Sequence, residues 1–589
     1  MRRPALELVV RVRRHWRRLV EQLPLRSVDE GVVLMVFGAA IGAVVGLGVV
    51  TFFRLVDLAY WAFARWPAQQ LGGLGSALYR PLLTAAGLTC AWAIVRRLRL
   101  PDGQNVPDVQ LAVAKRDGQV PFAPVAGRTL AAAVTLGSGG SAGSEGPVAV
   151  LGAALGSRVG RLFQFQSRQL KILVGCGAAA GISGAFDAPF AGAFFALEEV
   201  LGSFGVGAFS PVVVASVAGA LVVRALLGPD AVIDVPAYGS VSPLVIVLLY
   251  PLLGIACGVA SALFSRLHLA GLEVGARWRG PAWLRPALGG LVVGLLALLA
   301  GDVLVGDGHL RIPMTDFARL AWWMLLGVAV VKMAMTALTF AAGGSGGVFT
   351  PTLFIGAAFG TGLGALAQLL LPQVGVSPVR WGLVGMAGLV AGATRAPITA
   401  IFIVFEITDD YRLVLPVMLV AVIAFAVARR LAPHGLYDGW LARRGEHLAH
   451  GADRSLLARV PVRRAMDRSA VTVLPAAPLE AVVKASERAR QPVVPVVGAD
   501  GALHGLITFP DLRQALLDRS SLADVLVAAD LAELVDAVAP EAPLSQALRL
   551  MNARALDAVP VVADGGRYVG LLTRYDLVAT YERELVHEV

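Results

Sequence analysis

Between Gly31 and Phe53 the sequence carries no charged residue. Charge is scarce throughout: Asp, Glu, Lys and Arg make up 16% of the 589 residues, where soluble domains hold about 25%. With 57% hydrophobic residues and a mean hydropathy of +0.70, most of the chain suits lipid better than water. The uncharged stretch is long enough to cross a bilayer core of roughly 30 Å. Acids are few between residues 31 and 430, which argues against a divalent-cation path lined by carboxylates. None of the eight histidines falls in an H-E-x-x-H motif, so the zinc-protease reading lapses. Cys90, Cys176 and Cys257 lie in apolar segments without C-x-x-C spacing and read as small core residues, neither disulfides nor metal ligands. No metal, covalent cofactor or enzymatic residue is implied. The net charge of +10 is not a nucleic-acid signal. Much of it is Arg2, Arg3, Arg11, Arg13, Arg14, Arg17 and Arg18, just before the first span, which marks a cytoplasmic N-terminus. A second apolar span, Leu83–Val95, leads back to Arg96, Arg97 and Arg99 on the same side. The first span is too long for a signal peptide and no cleavage pattern follows it.

Glycine is abundant, at 66 residues, and one glycine run organises the rest. GSGGSAGSEGPVAV, residues 137–150, holds a single carboxylate, Glu145, just ahead of Pro147. Proline suits a first helical turn, where its missing N–H is no loss, and the apolar pattern from Val148 to Leu155 predicts the helix that follows. Glycines let backbone N–H groups approach a guest closely, and a helix N-terminus adds unpaired N–H groups and the positive dipole end. The segment therefore predicts an anion site, with Glu145 a built-in anion competing for the site its own helix creates. At membrane depth such a carboxylate points to function. No Lys-Ser/Thr pair follows the glycines, which excludes a nucleotide P-loop.

The run recurs. GGSAGSEGPVAVLGAALG (139–156) aligns without a gap to GGSGGVFTPTLFIGAAFG (343–360), an offset of 351 − 147 = 204. SGAFDAPFAGAFFALEE (183–199) matches AGATRAPITAIFIVFEI (391–407), an offset of 397 − 189 = 208. Such order predicts a duplicated membrane domain over 28–442, with repeats at roughly 28–228 and 240–442. Helices broken by Gly and Pro at membrane depth are tolerated where backbone lines a cavity. Repeats of this kind place a binding site midway through the bilayer. The pattern alone leaves open whether the halves are inverted or parallel. After Arg443 and Arg444 the composition becomes that of a soluble domain. Past a linker at 443–461, QPVVPVVGADGALHGLITFPDL (491–512) corresponds to DAVPVVADGGRYVGLLTRYDL (557–577). Thr508 and Asp511 recur as Thr573 and Asp576, 573 − 508 = 576 − 511 = 65 residues on. Two α/β units packed on each other are predicted, at 462–518 and 522–582.

These elements resemble the ClC chloride channels and chloride/proton exchangers with a C-terminal CBS domain pair, over nearly everything after the basic segment 1–27. The family's G-x-E-G-P element stands here as Gly143-Ser144-Glu145-Gly146-Pro147. Its G-x-F-x-P element is Gly347-Val348-Phe349-Thr350-Pro351, and its late tyrosine is Tyr437. The resemblance implies a polytopic α-helical membrane protein of inverted broken-helix repeats, with a small cytoplasmic α/β tandem CBS domain. It further implies a bacterial-type inner membrane and a homodimer with one pathway per subunit. Chloride would be held by backbone N–H groups, those of Gly146, Val348 and Phe349 among them, and by the Tyr437 hydroxyl. Glu145 would be the gate, filling an anion position when ionised and swinging away when protonated. Glu199 closes an apolar run (Ala191–Leu197) in Glu198-Glu199. On pattern alone the two acids read as a water-facing helix end; by resemblance Glu199 takes protons from the inside, as in the family's exchangers. Glu198 and Glu406 are expected to be structural. The expected activity is exchange of chloride, or a similar monovalent anion such as nitrate, for protons. The alternative is a passive voltage- or ligand-gated chloride channel regulated by the CBS domains.

Two departures stand out. The family's G-S-G-I-P element reads Gly103-Gln104-Asn105-Val106-Pro107, which puts the amides of Gln104 and Asn105 where a serine hydroxyl usually meets the central anion. Ser144 stands where a basic residue usually precedes the glutamate. Pro147 and Tyr437 argue against the family's fluoride-exporting branch. The CBS pair resembles modules that bind adenine nucleotides: Asp511 and Asp576 would accept from ribose hydroxyls, with Thr508 and Thr573 near phosphate. A ligand-free support for the dimer is the other reading.

Overall fold

The computed structural model describes residues 29–101, 105–228, 243–300, 312–446, 457, 460–488, 493–517, 526–554, 556–563 and 565–588. The basic segment 1–27, Gln104 and residues 447–456 of the expected linker lie outside them. The chain divides into two compact units, residues 1–448 and 449–589.

In the first unit one succession of helices is read twice. It runs α1 (Glu30–Tyr60), α2 (Trp66–Arg97), α3 (Val106–Lys115), α4 (Phe122–Gly137), α5 (Glu145–Leu162), α6 (Ser167–Phe186), α7 (Pro189–Phe195) and α8 (Val206–Leu227). Their counterparts follow in order as α9 (Pro243–Ala276), α10 (Leu284–Ala300), α11 (Met314–Phe317), α12 (Trp322–Ala341), α13 (Phe349–Leu370), α14 (Pro378–Thr394), α15 (Pro397–Thr408) and α16 (Val414–Leu431). A short α17 (Leu436–Ala442) closes the unit. Packing repeats as well: α5 lies on α6 as α13 lies on α14, and α1 on α8 as α9 on α16. Among the described residues seven helical segments are long and apolar enough to cross a membrane, Glu30–Gln70 and Trp322–Ala341 among them. This is an integral membrane protein.

Lipid gives no hydrophobic drive between helices, so their association rests on close fit. A Cβ on Gly152 would stand 2.0 Å from the Gly177 carbonyl oxygen, and one on Gly177 equally close to that of Gly152. Glycine at both places is what lets α5 and α6 touch backbone to backbone. Four buried threonine hydroxyls are satisfied within their own helices: Thr129, Thr135, Thr336 and Thr339 each donate to the carbonyl four residues back. Cys176 and Cys257 are buried as expected, but Cys90 is exposed. It lies on an outward face of α2, where a small apolar side chain needs no core around it.

In the second unit β1 (Val493–Val497) pairs antiparallel with β2 (Leu503–Thr508), and β3 (Ala558–Ala563) with β4 (Arg567–Thr573). The two halves interlock. Asp467 exchanges backbone hydrogen bonds with Leu571 at 2.8 and 2.9 Å, and Glu533 does the same with Leu506 at 2.9 Å. Between the hairpins Val493, Leu506, Ala558 and Leu571 form a shared apolar seam.

Candidate functional site

The two glycine runs meet at equivalent residues. Gly143 N–H donates to the Gly347 carbonyl at 2.8 Å and Gly347 N–H to that of Gly143 at 2.7 Å. Reciprocity continues outward: Ser141 N–H donates to Thr339 Oγ1 at 3.0 Å, and Ser345 N–H to Thr135 Oγ1 at 3.2 Å. Further off, Glu198 accepts from the N–H groups of Ile398 (3.1 Å) and Thr399 (2.7 Å), while Glu406 accepts from Phe190 (2.9 Å) and Ala191 (2.6 Å). Each glutamate thus supplies the anion that the N-terminus of the other repeat's helix needs, so α7 and α15 run antiparallel. α2 and its counterpart α10 do too: a Cβ on Gly290 would meet Ala85 at 2.6 Å and one on Gly294 would meet Pro81 at 2.4 Å. Equivalent helices pointing in opposite directions make the repeats inverted, which the sequence pattern alone had left open.

Glu145 is 2% exposed and opens α5 itself, ahead of the expected start near Val148. Its carboxylate reaches across to the other repeat. Phe349 N–H donates to Oε1 at 2.6 Å and the Thr350 hydroxyl to Oε2 at 2.6 Å. The seat it fills is therefore the N-terminus of α13, and not only that of its own helix as the sequence suggested. The reason is geometric: the Gly143–Gly347 bridge sets the two helix starts side by side, and a first-turn side chain reaches its neighbour more easily than it folds back. Glycine leaves the room, because a Cβ on Gly143 would stand 2.1 Å from Oε2 and one on Gly347 2.2 Å from Oε1. Gly146 lies in the first turn of α5 and Val348 is the residue before α13. The Phe349 ring packs against Phe186 (5.9 Å) and Phe195 (6.4 Å). Tyr437, buried on α17, is close enough to Glu145 and Glu199 to feel both carboxylates.

Glu199 is 7% exposed, which overturns the reading of a water-facing acid pair. It lies in a π-helical turn, Ala196–Val200, that continues α7. Consecutive residues of a helical turn point in different directions, so Glu198 turns to α15 and Glu199 to α3. There Gln110 Nε2 donates to the Glu199 carbonyl at 2.8 Å and to Oε2 at 2.9 Å. Asn105 caps α3 from the position before it, its N–H donating to Asp108 at 3.1 Å. Arg444–Asp108 (2.8 Å) and Lys115–Glu446 (2.7 Å) ion pairs tie α3 to the segment following α17. Sequence reasoning missed Thr350 and Gln110. The signals available were a hydroxyl beside Phe349 in G-V-F-T-P and a lone amide in the apolar run V-Q-L-A-V.

In the second unit the four polar candidates are engaged with one another. Thr508 donates to Asp511 Oδ2 through its N–H (3.0 Å) and hydroxyl (2.5 Å), and Thr573 to Asp576 at 3.3 and 2.5 Å. Each pair caps the helix that follows its hairpin. Among the described residues no cluster of His, Cys, Asp and Glu could hold a metal.

Residues 86–429 match the family described as voltage-gated chloride channel, and 462–518 and 532–583 match the CBS domain. A ClcB-like chloride channel protein of Ralstonia nicotianae is 36% identical over 364 residues, 61% of this chain and 84% of its own. An H(+)/Cl(−) exchange transporter, ClcA of Yersinia pestis, is 31% identical over 445 residues, 72% of this chain and 90% of its own. The fold is shared with a eukaryotic CLC transporter at TM-score 0.65 and 20% identity, over 92% of this chain and 97% of that one. It is shared too with a slow cyanobacterial Cl−/H+ antiporter at 0.63 and 23%, over 71% and 99%. The chain therefore belongs to the voltage-gated chloride channel family and carries a CBS domain pair.

Proposed function

We propose that this protein is a secondary active antiporter exchanging chloride, or a similar monovalent anion, for protons. The observation that carries the reading is the Glu145 carboxylate hydrogen-bonded at the N-terminus of α13. Partial charges of this kind hold an anion and still release it, since no full cation grips it. An anion reaches the seat when the carboxylate leaves, and protonation weakens the carboxylate's hold by removing its charge. Proton binding and anion binding then alternate at one place. Glu199, buried across from Gln110, is the proton acceptor on the cytoplasmic side, and Tyr437 closes the anion path between the two acids. Arg158, Arg161, Arg168 and Lys171 cluster where α5 ends and α6 begins. Gln169 in that turn donates to Glu30 at the start of α1 (3.0 Å), which supports a cytoplasmic N-terminus by the positive-inside bias. The relative named H(+)/Cl(−) exchange transporter supports the exchange reading.

The test is proton uptake by protein in liposomes under an imposed chloride gradient, with a protonophore control. Uphill proton movement is expected. Glu145→Gln, like Glu199→Gln, should leave anion flux and abolish proton coupling. Chloride flux without proton movement in the wild type would make the protein a channel. The reading extends to a homodimer with one pathway per subunit, placed in a bacterial inner membrane with the CBS pair in the cytoplasm. It assigns an adenine nucleotide to Thr508, Asp511, Thr573 and Asp576.

A further inference from the structure

We propose that Gln110 is a positioning residue for the proton step: it presents a fixed, uncharged donor to Glu199 and so sets the pH range over which Glu199 takes up and releases its proton. This rests on Glu199 being the internal proton acceptor. Both amide hydrogens of Gln110 are in use, one on the Glu199 main-chain carbonyl and one on its carboxylate. The main-chain bond fixes which way round the amide lies. Turned over, Oε1 would face the Glu199 carbonyl oxygen and the repulsion would expel it. The carboxylate therefore always meets an N–H, and a donor to the charged form favours that form. The donor is also neutral. An Arg or Lys here would pair with Glu199 as an ion and hold the proton off across the working range. An amide favours the ionised state by less, which suits a group that must load and unload once per cycle.

Nothing nearby takes over this part. The titratable groups that Glu199 faces are Glu198 on its own turn, and Asp438 and Tyr437 on α17. On α3, Asp108 and Lys115 are paired with Arg444 and Glu446. On α6, Lys171 faces Asp117 at 3.8 Å and Arg168 lies beside Gly207 of α8. On α8, Arg224 pairs with Asp187 at 2.8 Å. Among the described residues Gln110 is the side chain that hydrogen-bonds the Glu199 carboxylate. It is 3% exposed on a helix tied down near both ends, so its aim is fixed.

The test measures chloride-driven proton uptake in liposomes against internal pH for wild type, Gln110→Met, Gln110→Glu and Glu199→Gln, with anion flux recorded in the same vesicles. Gln110→Met keeps the length and removes the donor. Anion flux should persist, and the midpoint of coupled proton uptake should rise by about one pH unit, the roughly tenfold gain in proton affinity expected when a hydrogen bond to a charged group is lost. Gln110→Glu, nearly isosteric and able to fold even if the methionine variant is not, should shift the midpoint the same way and further. A residue that merely fills space would lower all fluxes together without moving the midpoint, and that result overturns the proposal. So does a downward shift. If coupling survives Glu199→Gln, the assignment of Glu199 falls and this inference with it. If coupling is lost there while both Gln110 variants keep the wild-type midpoint, the inference about Gln110 alone fails.

Discussion

A single methyl group should open the gate without touching its charge. In Gly143→Ala the new Cβ would stand 2.1 Å from Glu145 Oε2, 2.3 Å from Oε1 and 2.5 Å from Cδ. Ordinary contact begins at 3.4 Å, so the overlap with Oε2 is 3.4 − 2.1 = 1.3 Å. Gly143 does not have the positive φ that would itself resist alanine, and the obstructing atoms are the end of a flexible side chain. The carboxylate should yield and the backbone should stay. Leaving its seat costs it the Phe349 N–H and the Thr350 hydroxyl. Hydrogen bonds to a charged group are worth about 1.5–3 kcal/mol each, so the two together favour the seat by about 10²- to 10⁴-fold, and an overlap of this size outweighs that preference and should empty the seat. The protein would then pass anions without protons although Glu145 is still present. The assay is chloride efflux from liposomes with simultaneous proton recording. Gly48→Ala, whose Cβ meets only Leu151 and Leu155 at 3.6 and 3.8 Å, is the neutral control. Wild-type proton coupling in Gly143→Ala would refute the reasoning, because it would mean the seated carboxylate is not a state of the transport cycle.

Glu406→Ala takes the acceptor from two N–H groups of α7. It should lower the melting temperature, each unpaired donor costing about 1–3 kcal/mol, while the proton-to-anion ratio stays at the wild-type value; an altered ratio would give Glu406 a part in transport. Arg444→Ala breaks a partly exposed ion pair with Asp108 and should change stability by about 1 kcal/mol, a magnitude that thermal unfolding in detergent checks. Gln104→Ser should favour chloride over nitrate in competitive uptake, and unchanged selectivity would remove Gln104 from the filter. Calorimetry of the full chain with ATP, ADP and AMP should give heat with at least one, weakened in Asp511→Ala. Silence with all three would leave the Thr–Asp pairs as helix caps.

How far the sequence could be read depended on whether a feature is local. The doubled G-x-x-x-P register predicted a duplicated membrane domain of broken helices, because glycine and proline act on their own few residues. It also placed Glu145 at a helix start. It did not tell that the carboxylate would lie on Phe349, since that contact joins residues 204 positions apart, 349 − 145. Pattern alone did not separate Glu198 from Glu199, for a related reason; only the family resemblance gave them different parts. Two adjacent acids at the end of an apolar run look alike until α15 is packed against one and α3 against the other. Gln110 left only a weak trace, one amide in an apolar stretch, because its partner is defined by the fold and not by spacing. The outward-facing Cys90 shows the converse error: apolar surroundings in sequence mean burial in water-soluble proteins, whereas lipid makes the outside of a helix equally apolar.

A frame in which equivalent residues exchange the same bonds has no preferred direction of its own: turned over, it presents the same Gly143–Gly347 bridge, the same Ser–Thr links and the same crossed glutamate caps. Any sense of inward and outward has to come from positions where the copies disagree. Glu145 is answered by Phe349, and Glu199 by Ile407, 407 − 199 = 208 residues on. The polarity of the machine is thus written in a few broken equivalences, and the remaining mismatched pairs, taken one by one, are where its vectorial character should be sought.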